Sequence, residues 1–366
     1  AICPCYPVCR RSPLVRSDLS LPVVVLFLLA AGLLTLSTAA PSNEFARQLI
    51  FLGVAVVGSF AIVRVGRARI MRHAYPIYWA SIILLLITRV FGTEVNGAKS
   101  WLYLGPLPGF QPSELAKLAL IMALAITLHE RPFRNLLHYL RPGLMMLLPA
   151  GLVILEPDLG GATVLLAIGA GLMLMRGIPW RHLVLFGALF LVAAPTVLLP
   201  NLEPHQRARL VSFLDPAADA QGSGYQVIQS TIAVGSGGLL GKGYKQGTQS
   251  QLGFIPYRHT DFIFPVLAEE GGFVGAMILL ALYGLLFWRL IAMAAECPFE
   301  RDQFLIVGVL ILIGFQVVLN IGVTLGLAPV TGITLPLVSY GGTSLLSTLL
   351  ALSLAYVAHR DRYADW

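Results

Sequence analysis

Asp261 combines a chemically useful side chain with an unusual position in the sequence. It closes a long polar segment and immediately precedes the apolar run FIFPVL. A carboxylate at such a boundary loses solvation, which raises its pKa and suits a general base that accepts a proton from an attacking hydroxyl. Aspartate is also a favoured helix N-cap, and both roles stay open at this stage. His259, two residues earlier, is a supporting residue that can titrate near neutral pH.

A glycine-rich stretch upstream of Asp261 is a candidate anion site. Between residues 235 and 247, six glycines surround Lys242 and Lys245. Glycine tolerates positive φ and lets backbone N–H groups approach an anion, while the lysines supply charge for a departing phosphate. A flexible connector is the alternative, because no P-loop or dinucleotide-binding pattern is present. Three arginines of the same polar segment could assist the lysines: Arg207, Arg209 and Arg258.

Glu114 and Lys117 are predicted to form an ion pair near the start of a helix. They stand three residues apart after Pro112, in the run FQPSELAKLAL, and therefore share one helix face. An acid in the first turn suits the helix dipole, whereas a lysine deeper in an apolar helix is costly unless it has a function. We therefore treat both as candidate substrate-binding residues.

Four further acids lie in or beside apolar segments. Glu156 and Asp158 flank Pro157 in the run LEPDLGG, where helix capping explains Asp158 better than catalysis does. Glu269 and Glu270 are the only acids well inside an apolar segment, and ionisable groups at membrane depth are functional candidates by default. The sequence leaves the role of this second pair open.

The elements that must position these residues are membrane-spanning helices. Of the 366 residues, 57% are hydrophobic and 12% are charged, about half the charged fraction of a soluble domain. The alternating pattern of a membrane barrel is absent, so the sequence predicts an all-α integral membrane protein, one polytopic unit over residues 1–366. Ten apolar segments approach the roughly 20 residues that a spanning helix needs. They are 19–37, 47–63, 75–91, 112–128, 142–155, 159–175, 182–199, 262–290, 304–325 and 340–358.

Basic residues alternate between the connections, which sets the expected orientation. Arginines cluster before the first segment and after every second one, and cytoplasmic loops retain such residues. Both termini, including the tail 1–18, are therefore predicted to be cytoplasmic, and residues 200–261 form one large extracytoplasmic loop. All four lysines fall on the outer side, against the general tendency: Lys99, Lys117, Lys242 and Lys245. An anionic substrate on that side would explain them.

The sequence gives little support to a disulfide bond or a metal site. Cys3, Cys5 and Cys9 lie in the predicted cytoplasmic tail and Cys297 in a predicted cytoplasmic loop, where a reducing environment disfavours disulfides. The three clustered thiols could bind zinc but lack a fourth nearby ligand. At the outer site a divalent cation is compatible with the residues, although nothing in the sequence requires one.

Six runs of the sequence together resemble the SEDS family (shape, elongation, division and sporulation). The similarity covers nearly the whole chain, and the combination is highly specific. The runs are NGAKSWLYLG, FQPSELAKLALI, LEPDLGGA, GYQVIQSTIAVGSGGLLGKGYKQGTQSQLGFIPYRHTDFIF, VLAEEGGFVG and NIGVTLGLAPVTGITLPLVSYGGTS. The stretch GTQSQLGFIP resembles the elongation branch of the family more than its division branch.

The resemblance implies a ten-span SEDS-type fold and a peptidoglycan glycosyltransferase that polymerises lipid II on the outer face of the inner membrane. It implies an inverting reaction that makes a β-1,4 linkage, a class B penicillin-binding protein as partner, and a role in cell elongation and rod shape. By the same resemblance Asp261 is essential, and Glu114 and Lys117 border a cavity near it. Three residues are then candidates for binding the departing diphosphate: Lys242, Lys245 and Arg258.

Two other functions stay open. A lipid II flippase would suit ten spans equally well, although transporters commonly show internal repeats and ionisable groups near the bilayer midplane. In this chain no repeat is evident, and the specific motifs cluster on the outer side. A non-catalytic scaffold for a cell-wall transpeptidase would not explain a base beside a cationic glycine-rich run. Polymerisation of lipid II by the purified protein distinguishes among the three.

Overall fold

A computed structural model describes residues 19–95, 98–103, 109–130, 135–182, 184–185, 188, 196, 200, 204–215 and 222–363. The tail 1–18, with its three cysteines, lies outside the described residues, and so does most of the predicted seventh span, 182–199. Within the described part of the chain, Cys297 is a free and buried thiol.

The described residues form mainly α-helices. In chain order these are α1 (Ser20–Ala39), α2 (Ser42–Val65), α3 (Arg67–Arg72), α4 (Ala74–Phe91), α5 (Pro112–Glu130), α6 (Leu140–Leu155), α7 (Leu159–Gly177), α8 (Pro204–Leu214), α9 (Ser223–Ser236), α10 (Thr248–Gln251), α11 (Ile263–Glu296), α12 (Glu300–Thr324) and α13 (Gly342–Arg360). A 3-10 turn, Leu136–Tyr139, leads into α6. An antiparallel hairpin of β1 (Thr93–Val95) and β2 (Ala98–Trp101) follows α4.

Nine of these helices are long and apolar enough to cross a membrane; α3, α8, α9 and α10 are not among them. The predicted helical membrane class is therefore confirmed, with nine spans in the described residues where the sequence predicts ten. Pro112 occupies the first position of α5, as expected for a residue without an N–H to leave unpaired.

Helices α5 and α13 form the centre of the bundle, and most of their side chains are buried. In α2, by contrast, only Gln48 and Ala55 are buried. Such an exposed apolar helix is stable in a bilayer, where lipid tails solvate its side chains. Small residues set the close packing: a Cβ on Gly308 of α12 would lie 2.6 Å from Cγ2 of Ile121 of α5.

Helix α11 is broken at Gly272, whose φ of 67° is in the region that favours glycine. The backbone groups freed by the break bond to the connecting segment, which we define as residues 222–261. Phe273 N donates to Gly238 O (2.8 Å), and Lys242 N donates to Glu269 O (3.0 Å). The glycine-rich run is therefore docked on the break instead of being a flexible connector.

The chain after α12 turns back into the bundle, in a stretch that we call the re-entrant loop (residues 325–341). Tyr283 of α11 donates its hydroxyl hydrogen to Pro336 O. Gly32 of α1 packs so closely that a Cβ there would lie 2.6 Å from Leu337 O. Irregular backbone at this depth is tolerated because protein surrounds it: Leu335 and Val338 are buried.

The end of the bundle opposite Asp261 carries the arginine-rich connections. Arg67 and Asp302 form a buried ion pair there, and Arg176 Nη1 lies 2.7 Å from Glu300 Oε2. These arginines share one end of the bundle, as the alternating charge pattern predicts.

Candidate functional site

Asp261 lies between α12 and the re-entrant loop, and its backbone is fixed from both sides. Asn320 Nδ2 of α12 donates to Asp261 O (2.9 Å) and to Ile333 O (2.7 Å). Ser339 Oγ donates to the carbonyl oxygen of the preceding residue, Thr260 (2.6 Å). A Cβ on Gly332 would lie 3.9 Å from Asp261 Oδ2. The carboxylate therefore lies beside Gly332 of the re-entrant loop.

The capping alternative for Asp261 is wrong. Phe262 is the N-cap of α11, and no side chain caps that helix start. Burial raises the pKa of Asp261 to about 6; the nearby Arg209 lowers the pKa, and Asp158 raises it further. Asp261 is only partly buried. Asp261 is thus a carboxylate poised to exchange a proton near neutral pH, as a general base requires.

Asp158 lies within electrostatic reach of Asp261 and of two cations, Lys117 and Arg209. It caps α7 as predicted: its Oδ1 accepts from Gly161 N (2.8 Å), and its Oδ2 accepts from Gln111 Nε2 (3.2 Å). Burial raises the pKa of Asp158, the Gly161 N–H lowers it, and Lys117 lowers it as well. The sequence predicted the cap but did not indicate that Asp158 lies within electrostatic reach of both Asp261 and Lys117.

Glu114 and Lys117 form the predicted ion pair. Their Oε1 and Nζ atoms lie 2.6 Å apart, and both side chains are buried. Ser347 of α13 donates to the other carboxylate oxygen, Glu114 Oε2, at 2.8 Å. The pair is therefore held by α5 and α13, the two central helices, and not only by spacing along one helix.

We call these five side chains the polar cluster: Asp261, Asp158, Arg209, Glu114 and Lys117. Arg209 belongs to α8, and it lies within electrostatic reach of both aspartates. From the sequence, Arg209 was only one of three arginines that could assist the two lysines of the glycine-rich stretch. Nothing in its spacing indicated the cluster, because tertiary packing places α8 against α9 and brings Arg209 Nη1 to 3.5 Å from Val330 O of the re-entrant loop.

Glu156 lies beside the polar cluster, in the turn before α7. It is fully buried, and neither carboxylate oxygen has a hydrogen-bond partner among the described residues. Burial raises its pKa to about 8, Asp158 raises it as well, and Arg89 lowers it. Glu156 is therefore mostly protonated at pH 7 and adds little negative charge to the site.

Lys242 is held by Glu269. Its Nζ donates to Glu269 Oε1 (2.7 Å), Ser236 Oγ (2.8 Å) and Thr248 Oγ1 (2.7 Å). These bonds use all three hydrogens of the ammonium group. The backbone N–H groups of Lys242 and Gly243 donate to carbonyl oxygens of α11, so they are not free to bind an anion.

Glu269 holds the connecting segment on α11 through its carboxylate. We call Glu269 and Lys242, with the N–H groups of Gln249 and Ser250, the latch. The Glu269 carboxylate is fully buried and also accepts from Gln249 N (2.8 Å) and Ser250 N (2.9 Å), at the start of α10. Glu270, its neighbour, accepts from Gln251 Nε2 (3.3 Å). Both acids therefore attach the connecting segment to α11, which gives this pair a structural role.

The depth of Glu269 and Glu270 in a membrane stays a prediction. Helix α11 as a whole is long and apolar enough to cross a membrane, and both acids lie in its first eight residues, before the break at Gly272. The part after the break, residues 273–296, measures about 36 Å at 1.5 Å per residue. The two acids therefore lie near one end of α11 and not at its middle.

The other predicted side chains have different partners. Lys245 is exposed, and its Nζ lies 5.4 Å from the centre of the Tyr244 ring. Arg258 Nε donates to Ala39 O at the end of α1 (3.0 Å). His259 Nε2 lies 3.0 Å from Glu44 Oε2 on α2. The described contacts of Arg258 and His259 tie the connecting segment to α1 and α2 and do not join them to the polar cluster.

No group of three or more His, Cys, Asp or Glu side chains in the described residues is arranged to hold a metal ion. The polar cluster offers two aspartates, and one of them already accepts two hydrogen bonds. A divalent cation at this site would need oxygen atoms of a substrate to complete its ligand set.

Removing the Glu269 carboxylate is expected to release the connecting segment. In Glu269→Ala, Lys242 loses its charge partner and two N–H groups of α10 are left unpaired; breaking a buried pair typically costs about 3–5 kcal/mol. We expect a lower melting temperature and faster amide exchange over residues 237–251. Lys245→Ala, which removes an exposed lysine of the same segment, is the matched control. Unchanged exchange in Glu269→Ala would show that the latch does not hold this segment.

The bundle and the polar cluster define a class: a multi-pass helical membrane protein with a charged site at one end of the bundle. Residues 14–364 match the family described as "Cell cycle protein", whose name combines FtsW, RodA and SpoVE. The chain belongs to this family, which is the SEDS family indicated by its sequence runs.

Relatives from several bacteria are similar over most of their length. Peptidoglycan glycosyltransferase MrdB of Escherichia coli K12 is 41% identical over 290 residues, 78% of this chain and 77% of the relative. Probable peptidoglycan glycosyltransferase FtsW of Thiomicrospira cyclica is 37% identical over 357 residues, 92% of this chain and 90% of the relative.

Two solved structures share the fold. A chain of a structure described as "Structural coordination of polymerization and crosslinking by a peptidoglycan synthase complex" is 46% identical, with a TM-score of 0.85, over 96% of this chain and 100% of that one. The rod shape determining protein RodA of Thermus thermophilus is 41% identical, with a TM-score of 0.74, over 96% of this chain and 99% of that one.

Proposed function

We propose that this protein is a peptidoglycan glycosyltransferase that polymerises lipid II on the outer face of the inner membrane during cell elongation. The observation that carries the proposal is the polar cluster, in which Asp261 is a carboxylate with a pKa near 6 and lies close to Arg209. Glycosyl transfer to a hydroxyl needs a base, and a diphosphate leaving group needs cations. The names of the two relatives agree with this activity.

The reaction proceeds by inversion. Asp261 takes the proton from the 4-hydroxyl of the acceptor's GlcNAc, and the hydroxyl oxygen attacks the anomeric carbon of the donor's MurNAc. The bond from that carbon to the diphosphate oxygen breaks, and polyprenyl diphosphate leaves with the electron pair. The new linkage is β-1,4. One carboxylate suffices because a diphosphate, unlike an alcohol, leaves without being protonated.

The contacts of the candidate cations support a ranking, which the sequence left open. Arg209 and Lys117 lie within electrostatic reach of Asp158, and Arg209 also of Asp261. We therefore place them first for stabilising charge on the diphosphate. Lys242 binds Glu269 and Arg258 binds the end of α1, so these two act through the position of the connecting segment. Lys245 is exposed and stays a candidate for binding the departing diphosphate.

The partner is a class B penicillin-binding protein, which cross-links the strands. The chain of a peptidoglycan synthase complex that shares this fold supports a partner of this kind. The arginine-rich end of the bundle lies in the cytoplasm by the positive-inside rule. Both termini are then cytoplasmic, and the polar cluster and residues 200–261 face outward.

A single reconstitution tests the proposal against its alternatives. The purified protein in liposomes receives fluorescent lipid II, with and without the penicillin-binding protein, and the products are separated by length. A glycosyltransferase makes a ladder of glycan strands that Asp261→Asn does not make. Movement of lipid II between leaflets without strands would indicate a flippase instead. Absence of both, with a folded protein and its partner present, would favour the scaffold.

The pH dependence of strand synthesis should follow the ionisation of Asp261. Its pKa is raised to about 6, so the base form is scarce below that pH and predominates above it. We expect the rate to rise about tenfold from pH 5 to a plateau above pH 7, with half of the maximum near pH 6. Single-turnover rates at saturating lipid II measure this. A flat profile from pH 5 to 8 would exclude Asp261 as the titrating base.

A further inference from the structure

Two adjacent leucines of the connecting segment point away from the protein. Leu239 is 73% exposed and Leu240 is 81% exposed. They lie in one turn, closed by a hydrogen bond from Gly241 N to Gly237 O (2.9 Å). We call residues 237–241 the leucine turn. Two large apolar side chains presented together on one turn are more stable beside an apolar partner than in water.

The leucine turn is fixed to the part of α11 that follows the break at Gly272. Phe273 N donates to Gly238 O (2.8 Å), and Val274 N donates to Leu239 O (3.1 Å). A Cβ on Gly241 would lie 2.1 Å from Glu270 O, so only glycine permits this approach. The turn therefore lies at the same level as the first residues after the break at Gly272.

The depth of that level is measured along α11 from Trp288. Trp288 of α11 is 66% exposed and is followed by Arg289, a combination typical of a membrane interface. Phe273 lies fifteen residues earlier, about 22 Å along the helix axis, and the hydrocarbon is about 30 Å thick. If Trp288 marks one interface, Phe273 lies within the opposite leaflet, and the leucine turn lies beside it.

The surrounding side chains fit the same level. Phe273, Val274, Met277 and Ile278 are exposed along one stripe of α11, which the leucine turn extends. Tyr244, a few residues further, shares a hydrogen bond with Ser37 at the end of α1 (2.8 Å). Lys245 adjoins the Tyr244 ring. Tyrosine and lysine are common at the headgroup level, above an apolar stripe.

We propose that the leucine turn is a wedge inserted into the bilayer: Leu239 and Leu240 enter the acyl chains of the leaflet on the Asp261 side, the outer leaflet in the proposed topology. The leucine turn continues the exposed apolar stripe of α11, so phospholipid acyl chains are the partner that surrounds the two leucines. The wedge holds the connecting segment, and with it Asp261, at the level of lipid headgroups. It needs only that this end of α11 crosses a bilayer, and so it does not depend on which reaction the site performs.

Spin labels placed on the full chain in phospholipid nanodiscs test the insertion. Cysteines at 240, 273 and 245 are introduced one at a time, after the native cysteines are replaced by serine or alanine, and each carries a nitroxide. Power saturation compares access of oxygen, which concentrates in hydrocarbon, with access of a water-soluble nickel chelate. We expect Leu240→Cys and Phe273→Cys to favour oxygen several-fold, and Lys245→Cys to favour nickel.

Each other outcome overturns the proposal. Nickel access at 240 equal to that at 245 would place the turn in water. Access of neither reagent at 240 would mean that protein covers it, such as a second copy of the chain.

A second test needs no label. The double variant Leu239→Ser with Leu240→Ser should speed amide exchange over residues 237–243 in nanodiscs. Leu252→Ser removes another exposed leucine of the connecting segment as control, and equal exchange in both variants would also contradict insertion.

Discussion

Asp261→Asn is expected to lower the rate of glycan-strand synthesis by about 10²–10⁴-fold, the usual contribution of a general base. The amide is nearly the same size as the carboxylate but cannot accept a proton at neutral pH. The backbone contacts of Asp261 with Asn320 do not involve its side chain, so the variant should fold. Single-turnover assays with saturating lipid II measure the chemical step.

A control variant and a stability measurement show whether the loss of rate is specific to the Asp261 carboxylate. Glu94→Gln neutralises an exposed acid of the β1–β2 hairpin and should keep the full rate. The melting temperature of Asp261→Asn should not fall, because ionising a carboxyl whose pKa is raised to about 6 opposes folding at pH 7. Strand synthesis by Asp261→Asn at the normal rate would remove Asp261 from the mechanism.

Lys117→Met is expected to damage both stability and activity. It leaves the buried carboxylate of Glu114 without its cation, and breaking a buried ion pair typically costs about 3–5 kcal/mol. It also removes a positive charge within reach of Asp158. We expect a lower melting temperature and a loss of rate of about 10²-fold, the order observed when one transition-state donor is removed.

The double variant Glu114→Gln with Lys117→Met separates the two effects. The glutamine is neutral and can still accept from Ser347, so most of the lost stability should return. The rate should stay low if Lys117 acts on the substrate. Recovery of both stability and rate would show that the ion pair has only a structural role in the bundle.

The sequence by itself determined the class of protein and several local contacts. Apolar segments near the length of a bilayer specify spanning helices, because lipid leaves the backbone no partner except itself. Spacing along one helix placed Glu114 beside Lys117, and the start of α7 placed Asp158 as its cap. Each of these follows from interactions within a few residues. The predicted proton-accepting role of Asp261 rests on the apolar run beside it and agrees with its raised pKa.

Only the tertiary structure decided which charges meet. Arg209 and Asp158 are fifty-one residues apart in the chain, and no periodicity relates α8 to α7. Lys242 was predicted to face the substrate, but the break at Gly272 exposes backbone groups that the glycine-rich run pairs, and this brings Lys242 to Glu269. Glu269 and Glu270 lie just before this break, and their carboxylates accept hydrogen bonds from the connecting segment. These contacts across the bundle depend on packing that local spacing does not encode.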